Sequence, residues 1–65
     1  MIWYVFYEVR QQGAIGLFAG RLARVDADSR AIAIERAMNL LNDEGYETRF
    51  PINVFQQEFN AKEEV

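Results

Sequence analysis

Residues 2–7 read Ile-Trp-Tyr-Val-Phe-Tyr, an unbroken run of aromatic and β-branched side chains. Side chains of these types suit a pleated, packed surface, so the run predicts a β-strand. A strand with one face in water would alternate apolar with polar residues, and this run does not alternate. Both of its faces therefore need cover, and a chain of 65 residues has little material with which to cover two. The run predicts association with a second copy or with another molecule.

The length of 65 residues indicates one domain, residues 1–65, in which the charged segment 60–65 is expected to be a frayed tail. A domain of this size buries only about 60% of the surface that its unfolded chain exposes, and disulfides, metals or partner subunits usually add stability. The chain has no Cys and no His. It therefore lacks thiolates, the commonest metal ligand and the commonest general base. We expect no metal, no cofactor and no catalysis. Burial against a partner is then the remaining source of added stability.

Ten acidic and seven basic residues give a net charge of −3. Nucleic-acid binders usually carry a basic patch, and none is visible, so nucleic acid is not the expected partner. The apolar opening is too short to span a bilayer, and it lacks the basic start and the cleavage site of a signal peptide. We expect a cytoplasmic protein without membrane contact.

The first half of the chain predicts two strands. The first is expected over Ile2–Arg10, followed by a turn at 11–13 in which Gly13 takes a positive φ. The second is expected over 14–25, bent at Gly16 and Gly20, because glycine inside a strand marks a bulge or a close approach. The alternation of this strand places Arg21 and Arg24 on opposite faces. The same alternation divides its apolar residues into two faces, Ile15, Leu17, Ala19, Ala23 and Val25 on one and Phe18 and Leu22 on the other.

The second half predicts a helix and a third strand. Asp28 or Ser29 can cap a helix over 30–44, and Gly45 can end it. Its apolar face is broad, with Ile32 on the polar side opposite. That face consists of Ala31, Ala33, Ile34, Ala37, Met38, Leu40 and Leu41. Alternation over 46–54 predicts a one-sided strand, which Pro51 either assigns to an edge of the sheet or interrupts. Residues 55–59 suit a helical turn or a continued strand, and we favour the strand.

These elements predict an α+β fold of order ββαβ, a three-stranded antiparallel sheet in the order 2-1-3 with one helix packed on one face. The helix is expected on the face that carries Trp3, Val5, Tyr7 and Val9. The opposite face then carries an apolar patch of a size that monomers rarely leave in water. The alternative is that the C-terminal segment covers this face. The predicted interface residues are Ile2, Tyr4, Phe6, Ile32, Phe55 and Phe59.

Candidates for chemistry have simpler structural explanations. Asp26 and Asp28 are spaced like the start of a calcium loop, but the rest of that motif is missing and helix entry explains both. The glycines do not have phosphate-loop spacing. The aromatic strands could instead stack on bases, with Arg21 or Arg24 meeting a phosphate. Because such readers are rich in Lys and Arg and this chain has one Lys, a nucleotide or nucleic-acid binder is the alternative and a protein interface is favoured.

Four features of the chain resemble small phage- or plasmid-encoded ββαβ proteins: the opening Trp3-Tyr4-Val5-Phe6-Tyr7, the Gly-bearing turn, the capped helix and Gly45-Tyr46-Glu47. The resemblance lies in the order of elements and covers most of the chain. Some of those proteins are anti-defence factors, including anti-CRISPRs, which bind and block host immune complexes. The resemblance implies a stoichiometric, non-enzymatic inhibitor of a host complex, and it carries over no binding residue. The expected partner is a second copy, as a homodimer, or a larger host protein.

Overall fold

The computed structural model describes residues 1–56 of the chain. Its elements are β1 (Ile2–Gln11), β2 (Ala19–Asp26), α1 (Arg30–Asp43) and β3 (Tyr46–Gln56). β1 lies in the centre of the sheet and is antiparallel to both neighbours, which gives the order β2-β1-β3. The predicted α+β fold, its ββαβ order and its strand order are confirmed. The predicted tail lies outside the described residues.

The helix packs on the face of the sheet that carries the odd-numbered residues of β1. Val5, Tyr7 and Val9 are at most 4% exposed beneath it. The helix contributes Ala33, Ala37 and Leu41 to the same core, and these positions are four residues apart on one side of α1. Small alanine side chains allow the helix to approach the sheet closely. The helix-side face predicted from the alternation of β1 is therefore confirmed.

Local signals set both ends of α1. The Ser29 hydroxyl oxygen accepts a hydrogen bond from the Ile32 backbone N–H at 3.3 Å, so Ser29 is the N-cap. The chain leaves the helix through Gly45, whose φ is +96°, as predicted. The first turn has no acidic residue and the last turn no basic one, so side-chain charges do not compensate the helix dipole. The helix depends on burial for its stability.

The prediction of a strand from residue 14 is wrong for residues 14–18, which form a loop before β2. Gly13 and Gly16 have φ values of +81° and +140°, outside the range of an extended strand, and they turn the chain away from β1. Pairing with β1 begins only at Ala19, opposite Val9. Ile15 and Leu17, which the alternation assigned to an inner face, are almost fully exposed in this loop.

β3 is an edge strand that contains Pro51, as predicted, and it continues as a strand through Phe55 to Gln56. Two shifts of register against β1 flank the Tyr7–Pro51 pair. They interrupt the predicted alternation, because each shift adds an unpaired residue to β3. Val54 still packs against the core, whereas Phe50 and Ile52 are about half exposed.

We expect Leu41→Ala to lower the free energy of unfolding by about 2–5 kcal/mol, because it removes a fully buried side chain from the only helix that covers the sheet among residues 1–56. Leu40→Ala makes the same chemical change one position earlier, on a side chain that is more than one third exposed. It should cost about 1 kcal/mol or less. Urea denaturation followed by circular dichroism at low protein concentration measures both. Equal losses would contradict this assignment of the core.

Alkaline pH should destabilise the protein through Tyr7. Burial under the helix raises the pKa of the Tyr7 hydroxyl above 10.0. Because the folded state holds this proton more tightly than the unfolded chain does, stability is unaffected below about pH 10 and falls as the pH rises from there through the folded pKa. Tyr7→Phe should show a smaller decline in urea denaturation over the same pH range. Identical declines in both proteins would assign the effect to other groups.

Candidate protein interface

The face of the sheet opposite α1 carries an apolar surface, which we call the aromatic patch. It consists of Ile2, Tyr4, Phe6, Leu22 and Phe55. Antiparallel pairing brings these residues together, since Phe6 pairs with Leu22 and Tyr4 pairs with Phe55. No helix or strand within residues 1–56 covers the patch. Leu22 is 52% exposed, Phe55 44% and Phe6 37%.

The aromatic rings of the patch are held in place by their neighbours. Tyr4 and Phe55 stack with their ring centroids 5.5 Å apart and their planes 25° apart. The Phe6 ring lies over Gly20, where a Cβ atom would come within 2.7 Å of its Cε2 atom. The absence of a side chain at position 20 therefore creates the space that Phe6 occupies. Of the two alternatives predicted at this glycine, the structure shows the close approach and no bulge.

The other end of the same face carries a charged cluster, which we define as Glu8, Arg10, Glu47 and Arg49. Arg10 Nε and Nη2 donate to the two carboxylate oxygens of Glu47 at 3.3 and 3.1 Å. Arg49 Nη1 lies 3.6 Å from Glu8 Oε1. Both guanidinium groups also lie against the Phe18 ring, at 4.3 Å for Arg10 and 5.2 Å for Arg49. Two acids and two bases pair with one another, so the cluster has no net charge.

The two arginines that the sequence offered for a phosphate do not come together. Arg21 is opposite Tyr7 in the β1–β2 register and therefore lies on the helix side, whereas Arg24 is opposite Tyr4 on the open side. Arg21 contacts Glu44, with 3.8 Å between Nε and Oε1, and lies over the Tyr46 ring at 4.9 Å. The predicted separation of the two arginines is confirmed, and only Arg24 borders the aromatic patch.

Four of the six predicted interface residues share one surface, namely Ile2, Tyr4, Phe6 and Phe55. Ile32 is partly exposed on α1, on the opposite side of the sheet, so it is not part of the patch. Phe59 lies outside the described residues. Leu22 was not among the predicted interface residues, although the alternation of the second predicted strand placed it on the same face as Phe18. Identifying its pairing with Phe6 requires the length of the loop before β2.

A groove of about 400 Å³ lies between the 14–18 loop, the end of β1 and the start of β2. Arg10 Nη1 donates to the Gly16 carbonyl oxygen at 3.0 Å across it. Within residues 1–56, no group of three or more acidic, Cys or His side chains could hold a metal ion. None of the helices in this part of the chain is both long and apolar enough to cross a membrane.

Comparison of the chain with known protein families, with curated proteins and with solved structures found no match. The fold and the surface define a class in physical terms, an α+β domain whose sheet is covered by a helix on one face and carries a partly exposed aromatic patch on the other.

Gly20→Ala should lower the free energy of unfolding by about 1–3 kcal/mol, because the added methyl group displaces the Phe6 ring. In a Phe6→Ala background the ring is gone, and Gly20→Ala should then be neutral or stabilising, since alanine restricts the unfolded chain. Urea denaturation of the four proteins in this double-mutant cycle measures the coupling. Equal costs in both backgrounds would show that the ring does not rest on Gly20.

Proposed function

We propose that this protein is a small non-enzymatic interaction module that binds a protein partner through the aromatic patch. The observation that carries the proposal is that Phe6, Leu22 and Phe55 are 37–52% exposed on one continuous face. Soluble monomers rarely leave a contiguous apolar surface of this kind in water, and aromatic residues are enriched in protein interfaces. The lack of His and Cys in the chain supports a non-enzymatic role.

The patch is also ordered before a partner arrives. Strand pairing fixes the backbone, the Tyr4–Phe55 stack fixes two rings and Gly20 supports a third. Side chains that are already immobilised lose little conformational entropy on binding. The patch is therefore suited to act as the energetic centre of an interface.

The dimensions of the face indicate what the partner must cover. Five residues along three strands span roughly 16 by 14 Å, whereas a stable complex buries about 800 Å² on each partner. The partner must therefore reach beyond the patch, and the adjoining charged cluster can form a polar rim. A flat surface that is apolar over the patch and polar over the cluster would be complementary.

The proposed partner is a second copy of the chain or a larger host protein, in the cytoplasm. An inhibitor of a host defence complex would be one form of this module, and its support is the resemblance of the sequence to small anti-defence proteins. The competing class, a nucleotide or nucleic-acid binder, would need Arg24 beside Tyr4, because Arg10 and Arg49 are already paired with carboxylates.

Phe55→Ser tests the proposal against Phe50→Ser, which makes the same change on the same strand at a side chain of similar exposure, 48% against 44%. Each protein is used as immobilised bait in an extract of its source cells, with and without nuclease treatment. We expect Phe55→Ser to lower retention of the partner by about tenfold or more, and Phe50→Ser to leave retention unchanged.

Equal behaviour of the two variants, with both folded by circular dichroism, would overturn the proposal. Retention that is lost after nuclease treatment, or that weakens steeply with salt, would favour the nucleic-acid alternative, because phosphate contacts release counterions and apolar docking does not.

A further inference from the structure

The two edges of the sheet differ in their capacity to add another strand. β3 contains Pro51, which has no N–H, and two register shifts interrupt its pairing with β1. β2 has no proline and pairs with β1 in one uninterrupted register over its whole length, Ala19–Asp26. No strand among residues 1–56 lies on the outer side of β2, so its outward N–H and C=O groups face no strand.

One side of α1 runs along the β2 edge. Arg36 Nη1 donates to the Asp26 carbonyl oxygen at 2.6 Å, at the end of β2, and Glu44 lies beside Arg21, near its start. Positions 32, 36, 40 and 44 are spaced by four residues and so share one side of the helix. Ile32 and Leu40 therefore belong to this side, and both are more than one third exposed.

The loop of residues 14–18 continues this apolar border, because it leads directly into β2. Ile15 and Leu17 in the loop are the most exposed large apolar side chains of the described residues. Leu22, in β2 itself, is half exposed. An unpaired strand edge thus has exposed apolar residues along it on the helix and in the preceding loop.

We propose that β2 pairs with β2 of a second copy, antiparallel and around a twofold axis at Leu22, to form one continuous six-stranded sheet. Such an axis is perpendicular to the sheet, so both helices lie on the same face of the combined sheet. Residues that pair across the axis also point to the same face. This inference concerns the edge of the sheet and does not rest on the function proposed for its open face.

Among the four axes nearest the middle of β2, at residues 21–24, the side chains favour the one at Leu22. An axis at Arg21 or at Arg24 would place two guanidinium groups directly opposite each other, which is destabilising. An axis at Ala23 would place each Leu22 opposite an Arg24. An axis at Leu22 avoids both.

With the axis at Leu22, the two Leu22 side chains pair with each other and Ala19 pairs with Val25 of the second copy. Arg21 is then opposite Ala23, and Arg24 is opposite Gly20, so no like charges meet.

This register also explains the exposed residues beyond β2. Because Ala19 is opposite Val25 of the second copy, the 14–18 loop that precedes Ala19 comes close to the segment between β2 and α1 of that copy and to the start of its helix. Ile15 and Leu17 of each copy then lie near Ile32 of the other, and the two Leu40 side chains approach the axis. The two aromatic patches come to lie side by side on the opposite face.

Cysteine pairs test the register, because the chain has no cysteine of its own. Ala19→Cys and Val25→Cys are prepared as separate proteins with different tags, mixed and oxidised mildly. Directly opposite residues have Cβ atoms about 4.5–5.5 Å apart, close to the separation that a disulfide requires. We expect the mixed disulfide between positions 19 and 25 to form in a higher yield than random pairing would give, at the expense of both symmetric disulfides. These positions lie on the helix side, so contact between two open faces cannot produce this result.

Leu40→Lys supplies the matching solution test, since it brings two like charges near the axis while leaving the aromatic patch intact. Lysine suits the last turns of a helix, so the fold should be retained. Analytical ultracentrifugation should show that Leu40→Lys weakens dimer association, with the dissociation constant raised about tenfold or more, and that Phe55→Ser leaves the dissociation constant unchanged.

Dissociation caused by Phe55→Ser but not by Leu40→Lys would assign self-association to the open face and overturn the edge proposal while supporting the proposed function. A wild-type chain that stays monomeric at high micromolar concentration, or statistical disulfide yields, would also overturn it.

Discussion

The structure depends on one imbalance, in which the central strand is apolar on both faces and the described chain has one helix to cover it. Val5, Tyr7 and Val9 are buried because α1 lies on them, whereas Phe6, between two of them in sequence, is left 37% exposed on the other side. A helix of 14 residues can shield one face of three strands. The exposed face is therefore a direct result of the number of elements.

The chain treats the two ends of this open face differently. At one end, Arg10 and Arg49 are each paired with a carboxylate and packed against Phe18, so the charges are neutralised locally. At the other end, no described element covers the rings and Leu22. The charged end of the face is neutralised by its own ion pairs, although Glu8 Oε1 accepts no hydrogen bond there, and the apolar end is exposed. This division is typical of an interface with an apolar centre and a polar border.

Much of the fold could be predicted from sequence because its signals are local. The aromatic run and the alternation of β1 define a central strand and its two faces, the 3.6-residue period defines the helix, and Pro51 marks an edge. The loop at 14–18 could not be predicted, since Ile15 and Leu17 alternate as in a strand while the φ angles of Gly13 and Gly16 turn the chain away. The register shifts between β3 and β1 could not be predicted for a similar reason, because the alternation of apolar and polar residues does not show where a strand contains an unpaired residue. The patch was found through β1, whereas Leu22 depends on pairing across that loop.

The proline and the two bulges of β3 have a further consequence for the colloidal behaviour of the chain. A sheet that could extend at both margins would allow copy after copy to add, which is the geometry of fibre growth. Here the β3 margin is interrupted by Pro51 and the two bulges. A strand that pairs with β2 therefore has no comparable edge at the β3 side of the sheet. In the proposed dimer, association along the sheet would end after a single addition, because the irregular β3 edge disfavours the pairing of a further copy.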